Sequence, residues 1–388
     1  MSACSQASAA VRLPHALSLT PTALVALAQS WGEPGFRARQ IAEWLYRRRV
    51  TSPDEMTNLS RELRDRLAKE LDWQLPAIVS QLDGADGSTK LLLQSERGYI
   101  EAVILRYEGR TSLCVSSQVG CKLACSFCQT GKLGFVRHLR SEEILAQFAV
   151  AQGIVAPEGR KVSHVVFMGM GEPLDNYDNV IAAVNQLTGK EAFALNPKHV
   201  TVSTSGMVPR IVTLATDARA ALALSLHAAR DELRTELMPI NRKWPLADLK
   251  TALLAYQKAT GDKITIEYIL IKDKNCGQRE AKELVRFLHG LRAKINLIPF
   301  NSHPGMPYER PDDETIRAFQ KYLTDRSFAA PVRYSKGLDV SAACGQLAAK
   351  QLDSLGESPA RARVLTTEPT GAATAVPFAA AAAASASL

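Results

Sequence analysis

Residues 111–135 read T-S-L-C-V-S-S-Q-V-G-C-K-L-A-C-S-F-C-Q-T-G-K-L-G-F, and within them Cys121, Cys125 and Cys128 form a C-x3-C-x2-C run. Three thiols in one short loop are a soft donor set for a metal centre. Structural zinc sites usually draw four ligands from paired C-x2-C knuckles, and no second knuckle follows here. Three thiolates can instead hold three irons of a 4Fe–4S cube and leave the fourth iron open to a small molecule. A four-cysteine zinc site that recruits Cys114 is the competing reading.

The flanks of this loop alternate between strand and helix. Strand-like runs lie at 112–116, 162–168, 199–203, 221–225, 264–271 and 295–299, with helical patterns at 141–150, 179–187, 246–259 and 279–288. Repeated βα units predict a parallel sheet, here six strands able to form a partial barrel. Upstream, 20–71 reads as helices. Thr20 and Pro21 supply a cap and a first-turn proline. A second helix spans 36–49, with Phe36, Ile41, Trp44 and Leu45 as its apolar stripe, and 60–71 completes the helical domain. Arg47, Arg48 and Arg49 fall in a last turn, where they either complement the helix dipole or meet phosphate. Short strands at 78–82, 90–94 and 99–106 follow, separated by D-G-A-D-G and E-R-G turns. The expected division is a disordered leader (1–16), a helical domain (17–75), a β-rich connector (76–110), the partial barrel with a C-terminal cysteine loop (111–348) and a low-complexity tail (349–388).

At 388 residues the chain is long enough for several domains. Seven cysteines around a thiolate site fit a reducing cytoplasm better than a disulfide framework. There is no signal-peptide pattern and no apolar run long enough to span a bilayer, so no membrane role is expected. The net charge of +8 and pI near 9.1 favour a polyanionic partner, though only weakly.

The 111–135 stretch, followed far downstream by D-V-S-A-A-C-G-Q-L at 339–347, resembles the adenine carbon-2 RNA methyltransferases of the radical S-adenosylmethionine (SAM) superfamily. The resemblance covers about 17–350 and takes in F-R-A-R-Q-I-A-E-W-L-Y and E-M-T-N-L-S near the N-terminus. It implies an α/β fold with a partial (β/α)6 barrel, a small N-terminal helical domain that positions RNA and a short β extension. It also implies one 4Fe–4S cluster on Cys121, Cys125 and Cys128, with SAM on the open iron. The substrates implied are adenosines in large-subunit ribosomal RNA and in transfer RNA. A reducing electron donor such as flavodoxin, a monomeric state and a cytoplasmic location complete the expectation. Two alternatives stand beside it. One is the sister activity on carbon 8 of the same ribosomal adenine; the other is a non-catalytic, zinc-stabilised RNA-binding module.

Site residues follow from the strand ends, where parallel α/β folds place their ligands. The 162–168 run ends in G-M-G-E-P, where Gly171 permits close approach and Glu172 matches the family contact to the SAM amino group. The next strands end in S-T-S-G and S-L-H, and the last runs into F-N-S-H-P-G. By resemblance Ser203, Ser225, Leu226, His227 and Asn301 contact SAM; singly, such residues are more often turn formers or satisfied core groups. Cys344 and Cys114 could be small buried hydrophobes. The resemblance instead makes Cys344 the residue that takes a methyl group from one SAM. A second SAM then yields the radical that activates that methyl for addition to carbon 2, leaving an enzyme–RNA thioether. Cys114 would help deprotonate this adduct and then resolve it by forming a disulfide with Cys344. Glu101 matches an acidic proton acceptor, or else is an exposed strand carboxylate. Cys4 and Cys276 match nothing. Arg242 and Lys243 beside Trp244 offer a phosphate-and-stacking surface, or are simply solvated.

Overall fold

Leu222, Ala223 and Leu224 are consecutive and all fully buried. A strand can bury neighbours in this way only when both of its faces are covered, as in a parallel sheet flanked by helices. A computed structural model, describing residues 13–302 and 305–347, has this architecture. The expected leader and tail lie largely or wholly outside the described residues, as do Cys4, His303 and Pro304.

The helical region opens with α1 (Pro21–Ser30), capped by the Thr20 hydroxyl, which accepts from the Ala23 amide. Next, α2 (Gly35–Ala42) runs into a π-helical turn, Glu43–Arg48, closed by Arg49 in the left-handed region at φ 59°. The single helix expected over 36–49 thus changes its winding where Trp44, Leu45 and Tyr46 are buried in succession. Three adjacent buried side chains exceed the usual apolar stripe of a regular surface helix. α3 (Arg61–Glu70) is capped by Ser60. The three arginines mainly bind protein. Arg49 lies over the Phe148 ring at 4.8 Å and donates to Gln152, Arg48 lies over Trp44 at 4.1 Å, and Arg47 donates to the Lys190 carbonyl.

β1 (Ile78–Asp83), β2 (Ser88–Ser95) and β3 (Gly98–Tyr107) form an antiparallel meander that pairs on with β4 (Arg110–Cys114), Val103 facing Cys114. A small hairpin, β5 (Gln118–Gly120) with β6 (Phe135–His138), brackets the cysteine loop and the short α4 (Gln129–Lys132). Sequence periodicity did not anticipate this hairpin, because its strands have three and four residues. The chain then alternates through α5 (Ser141–Val155), β7 (Val162–Phe167), α6 (Tyr177–Thr188), β8 (Val200–Thr204), α7 (Val208–Asp217) and β9 (Ala221–Ser225). It continues with α8 (Asp231–Leu237), α9 (Leu246–Thr260), β10 (Ile264–Leu270), α10 (Gln278–Leu288), β11 (Ala293–Pro299) and α11 (Asp313–Thr324).

Strands β4, β7, β8, β9, β10 and β11 run parallel and in chain order, the six expected for the barrel. The 76–110 segment continues this same sheet, so nine strands form one surface in the order β1-β2-β3-β4-β7-β8-β9-β10-β11. Strand β3, third in this order, is buried from Ile100 to Ile104, which requires cover on both faces. Helices α7, α8 and α11 were not expected. α7 is rich in β-branched residues, and α8 has only seven residues with a fully buried arginine at its centre. Among the described residues no helix is long and apolar enough to cross a membrane.

Candidate active site

The C-terminal ends of the parallel strands surround a cavity of about 160 Å³. Cys121, Cys125 and Cys128 form one wall. Gly169, Gly171 and Glu172 follow β7, Ser203 to Ser205 end β8, Ser225 and His227 end β9, and Cys344 also lines the cavity. Of the residues singled out from the sequence, Gly171, Glu172, Ser203, Ser225, His227, Cys344 and the three cysteines of the run meet here.

Two glycines let the backbone pass. A Cβ on Gly169 would lie 2.7 Å from the Val115 carbonyl, and one on Gly171 only 2.6 Å from Gln118 Cβ, with φ at +103°. Gly171→Ala should therefore cost about 1–3 kcal/mol through overpacking, with added strain from the positive φ. A lower melting temperature would register this; an unchanged one would contradict it.

Glu172 is 2% exposed, and its two oxygens accept from the Leu174 amide at 3.1 Å and the Ser205 amide at 2.8 Å. Burial nevertheless raises its pKa, with these hydrogen bonds acting in the opposite sense. Such a carboxylate is stabilised by an arriving cation. Its own amide donates to Gln118, whose side-chain nitrogen donates to Asp175. His227 sits at φ 58° with its ring edge-on to Phe127. The Ile269 amide donates to Nδ1 at 3.1 Å, which leaves the proton of the neutral ring on Nε2. Burial, reinforced by Arg234, lowers its pKa to about 3, so the ring is neutral at physiological pH.

Leu226 does not line the cavity. Side chains alternate along an extended segment, so with Ser225 and His227 on the cavity side, Leu226 turns into the core. Its amide donates to Glu267, and its carbonyl accepts from Arg234 and Ala228. Asn301 also stands behind the wall, donating to Ser335 at 2.9 Å and to the Cys344 carbonyl at 3.4 Å.

The loop carrying Cys344 is fastened on two sides. From the cysteine run, the Gln129 amide donates to the Gly345 carbonyl at 2.8 Å and the Thr130 hydroxyl to Leu347 at 3.3 Å. From the sheet extension, the Ala85 amide donates to Asp339, Lys336 donates to the Asp86 carbonyl, and Lys90 donates to the Ser341 carbonyl at 3.3 Å. Cys344 is accessible, yet protein surrounds it, because the surface it presents opens onto the cavity. Burial raises its thiol pKa, with the nearby Glu267 carboxylate adding to the effect. Cys114, at the end of β4, is likewise raised by burial, and then by the charge of Cys344. Although neither Cys114 nor Glu101 lines the cavity, the two distal cysteines are close enough to interact electrostatically.

Glu101 is 1% exposed, not the exposed strand carboxylate of the alternative reading, and pairs with buried Lys90 at 3.4 Å. Lys90 and Glu267 were missed from the sequence. Each interrupts an apolar strand, S-T-K-L-L-L and T-I-E-Y-I-L, and a charge in such a run was the available signal. Cys276 is buried and donates to the Ile271 carbonyl, away from the site. Arg242 and Lys243 are exposed beside half-buried Trp244, with the ammonium 4.6 Å from its ring.

The donor set of the cysteine run fits a cationic cluster. Burial pushes the Cys121 thiol up to about 12 and raises those of Cys125 and Cys128; charges on the other cysteines of the run raise Cys121 and Cys125 further. Three buried, mutually repelling thiolates are stable only around positive charge.

A partial barrel with a three-cysteine loop at its strand ends defines a radical SAM enzyme, and residues 115–288 match the radical SAM superfamily. Residues 16–72 match the N-terminal domain of ribosomal RNA large subunit methyltransferases. A dual-specificity RNA methyltransferase RlmN from Bdellovibrio bacteriovorus is 44% identical over 331 residues, covering 85% of this chain and 82% of the relative. Another bearing that name, from a Marinomonas species, is 43% identical over 346 residues, covering 87% and 93%. The crystal structure of a radical SAM methyltransferase from Sphaerobacter thermophilus superposes with a TM-score of 0.82 at 41% identity, covering 86% of this chain and 98% of that one. The chain belongs to the RlmN family of radical SAM RNA methyltransferases. Its cofactors are those of the superfamily, a 4Fe–4S cluster and SAM.

Proposed function

We propose that this protein methylates carbon 2 of adenosine in large-subunit ribosomal RNA and in transfer RNA, using Cys344 as methyl carrier and Cys114 as resolving thiol. The observation that carries this reading is the placement of Cys344 on the wall of the cavity formed by Cys121, Cys125 and Cys128, with Cys114 within electrostatic reach. When bound, the cluster and SAM would supply the methyl group, the means of removing one of its hydrogens and, in the oxidised cluster, an acceptor for the one electron that the base adduct loses with its carbon-2 proton.

The protein residues then divide the work. Cys121, Cys125 and Cys128 hold the cluster. Glu172 accepts from the SAM ammonium, Gly171 lets the cofactor approach, and Ser203, Ser225 and the Nε2–H of His227 bind its polar groups. Leu226 and Asn301 act from behind the wall, the first through packing and the second by holding the Cys344 carbonyl. Cys344 carries the methylene group to the base. Glu101, its charge balanced by Lys90, accepts the proton released from carbon 2. Cys114 attacks the Cys344 sulfur and forms an S–S bond; the electron pair of the broken S–C bond stays with the methylene carbon, which takes a proton and becomes methyl. An external thiol reductant returns both cysteines to the reduced state. The helical region positions RNA, a flavodoxin-type donor supplies electrons, and the enzyme works as a cytoplasmic monomer.

Anaerobic reconstitution followed by mapping of methyladenosine isomers in both RNAs tests the reading. Expected is 2-methyladenosine in each; 8-methyladenosine confined to ribosomal RNA would replace it with the sister activity. Glu172→Ala should weaken SAM binding and cleavage about tenfold or more while sparing RNA affinity, since a charge-assisted hydrogen bond contributes roughly 1.5–3 kcal/mol. SAM affinity and cleavage both equal to wild type would remove Glu172 from the site.

A further inference from the structure

Arg234, at the centre of α8, is fully buried and heads the largest such side chains. Its guanidinium donates to the Leu226 carbonyl at 3.2 Å, Asn241 Oδ1 at 2.8 Å, the Ser205 carbonyl at 2.6 Å and the Ser225 carbonyl at 3.4 Å. Every one of these acceptors is neutral. The Asp231 carboxylate acts on it only through space and through Asn241, which donates to it at 2.8 Å, and Asp231 is exposed to water. A buried cation without a buried counter-ion is strongly disfavoured.

The missing negative charge lies across the cavity wall. The carbonyls of Ser205 and Ser225, both held by Arg234, belong to residues lining the same cavity as Cys125. One turn further along α8, the Leu237 carbonyl accepts from the amide of Ser126, the neighbour of Cys125, at 2.9 Å. A cluster held by three thiolates is anionic, and gains another negative charge on reduction. We propose that Arg234 is the buried counter-cation of this cluster and sets its reduction potential by stabilising the added electron. The assignment rests on the three cysteines as cluster ligands. Burial lowers the Arg234 pKa to about 10, so the group stays charged at neutral pH, and the Cys125 charge is the largest electrostatic influence opposing that shift. The same guanidinium also pins the turns after β8 and β9, so a purely architectural role is the rival explanation.

The charge and the hydrogen-bonding fork can be separated. Full-length wild type, Arg234→Lys and Arg234→Gln are reconstituted anaerobically, assayed for iron and sulfide, and titrated potentiometrically without RNA, with the reduced cluster followed by electron paramagnetic resonance. Arg234→Lys, which keeps the charge and loses the fork, should titrate with wild type. Arg234→Gln should titrate at more negative potential by at least a tenfold change in the one-electron equilibrium, about 59 mV. If Arg234→Gln takes up no cluster while Arg234→Lys does, the charge requirement also stands. Wild-type potentials in both variants, a shift in Arg234→Lys as large as in Arg234→Gln, or cluster loss in both, would each overturn it in favour of the architectural role. A wild type that takes up no iron would instead overturn the ligand assignment of the three cysteines.

Discussion

Cys114→Ala protein is expected to accumulate covalently joined to RNA. The change removes a half-buried thiol at the end of β4 that meets the Met168 backbone behind the cavity but does not itself line it, so cluster assembly, SAM binding and methyl loading of Cys344 should persist. Without the resolving thiol, the thioether between Cys344 and the base has no route to disulfide and free product. Purification under denaturing conditions, nuclease digestion and mass mapping should then find a methylene-linked adenosine on the Cys344 peptide. Cys344→Ala should behave oppositely, keeping the cluster, carrying no methyl group and forming no adduct, with methyl transfer falling to background. Normal turnover by Cys114→Ala, or an adduct on another residue, would end the two-cysteine reading while leaving the fold and cofactors untouched.

Cys125→Ala should lose the cluster, and with it all SAM cleavage. The Cys125 thiol lines the cavity within electrostatic reach of Cys128, Cys121 and Glu172, so alanine would remove one of the three thiolates that would hold the cluster and supply no substitute. Iron and sulfide should drop from a full cluster to a small residue, and the brown colour should vanish. Any iron that remains should disappear in Cys125→Ala/Cys344→Ala, because Cys344 is the one wall thiol outside the run. Wild-type iron content in the double variant would show that the cysteine run does not bind the cluster.

Much of the architecture was legible locally. Apolar runs such as A-L-A-L and I-T-I-E-Y-I-L can bury both faces only within a covered parallel sheet, so the six barrel strands announced themselves. The cysteine run was legible because its three thiols lie within eight residues of one loop. The G-M-G-E-P turn was equally so, since glycine there answers to a backbone passing within 3 Å of the absent Cβ. Shorter elements left weaker traces. The β5–β6 hairpin and α8 have too few residues for a period to emerge, and α8 hides a buried charge that reads as solvated surface.

Sequence by itself therefore determined the barrel, the three-cysteine loop and the family, because each rests on a contiguous pattern of residues. Tertiary structure alone decided which of the marked residues share a space. Side-chain alternation put Ser225 and His227 on the cavity and Leu226 in the core. Sheet pairing made 76–110 an extension of the barrel and gave the Cys344 loop its second anchor through Lys90 and the β1–β2 turn. The Lys90–Glu101 pair, the carboxylate of Glu267 on the cavity and the guanidinium of Arg234 behind it all depend on strand register and helix docking. These are long-range choices made by burial and pairing, and the energy of a buried charge is set by neighbours that no local stretch of sequence contains.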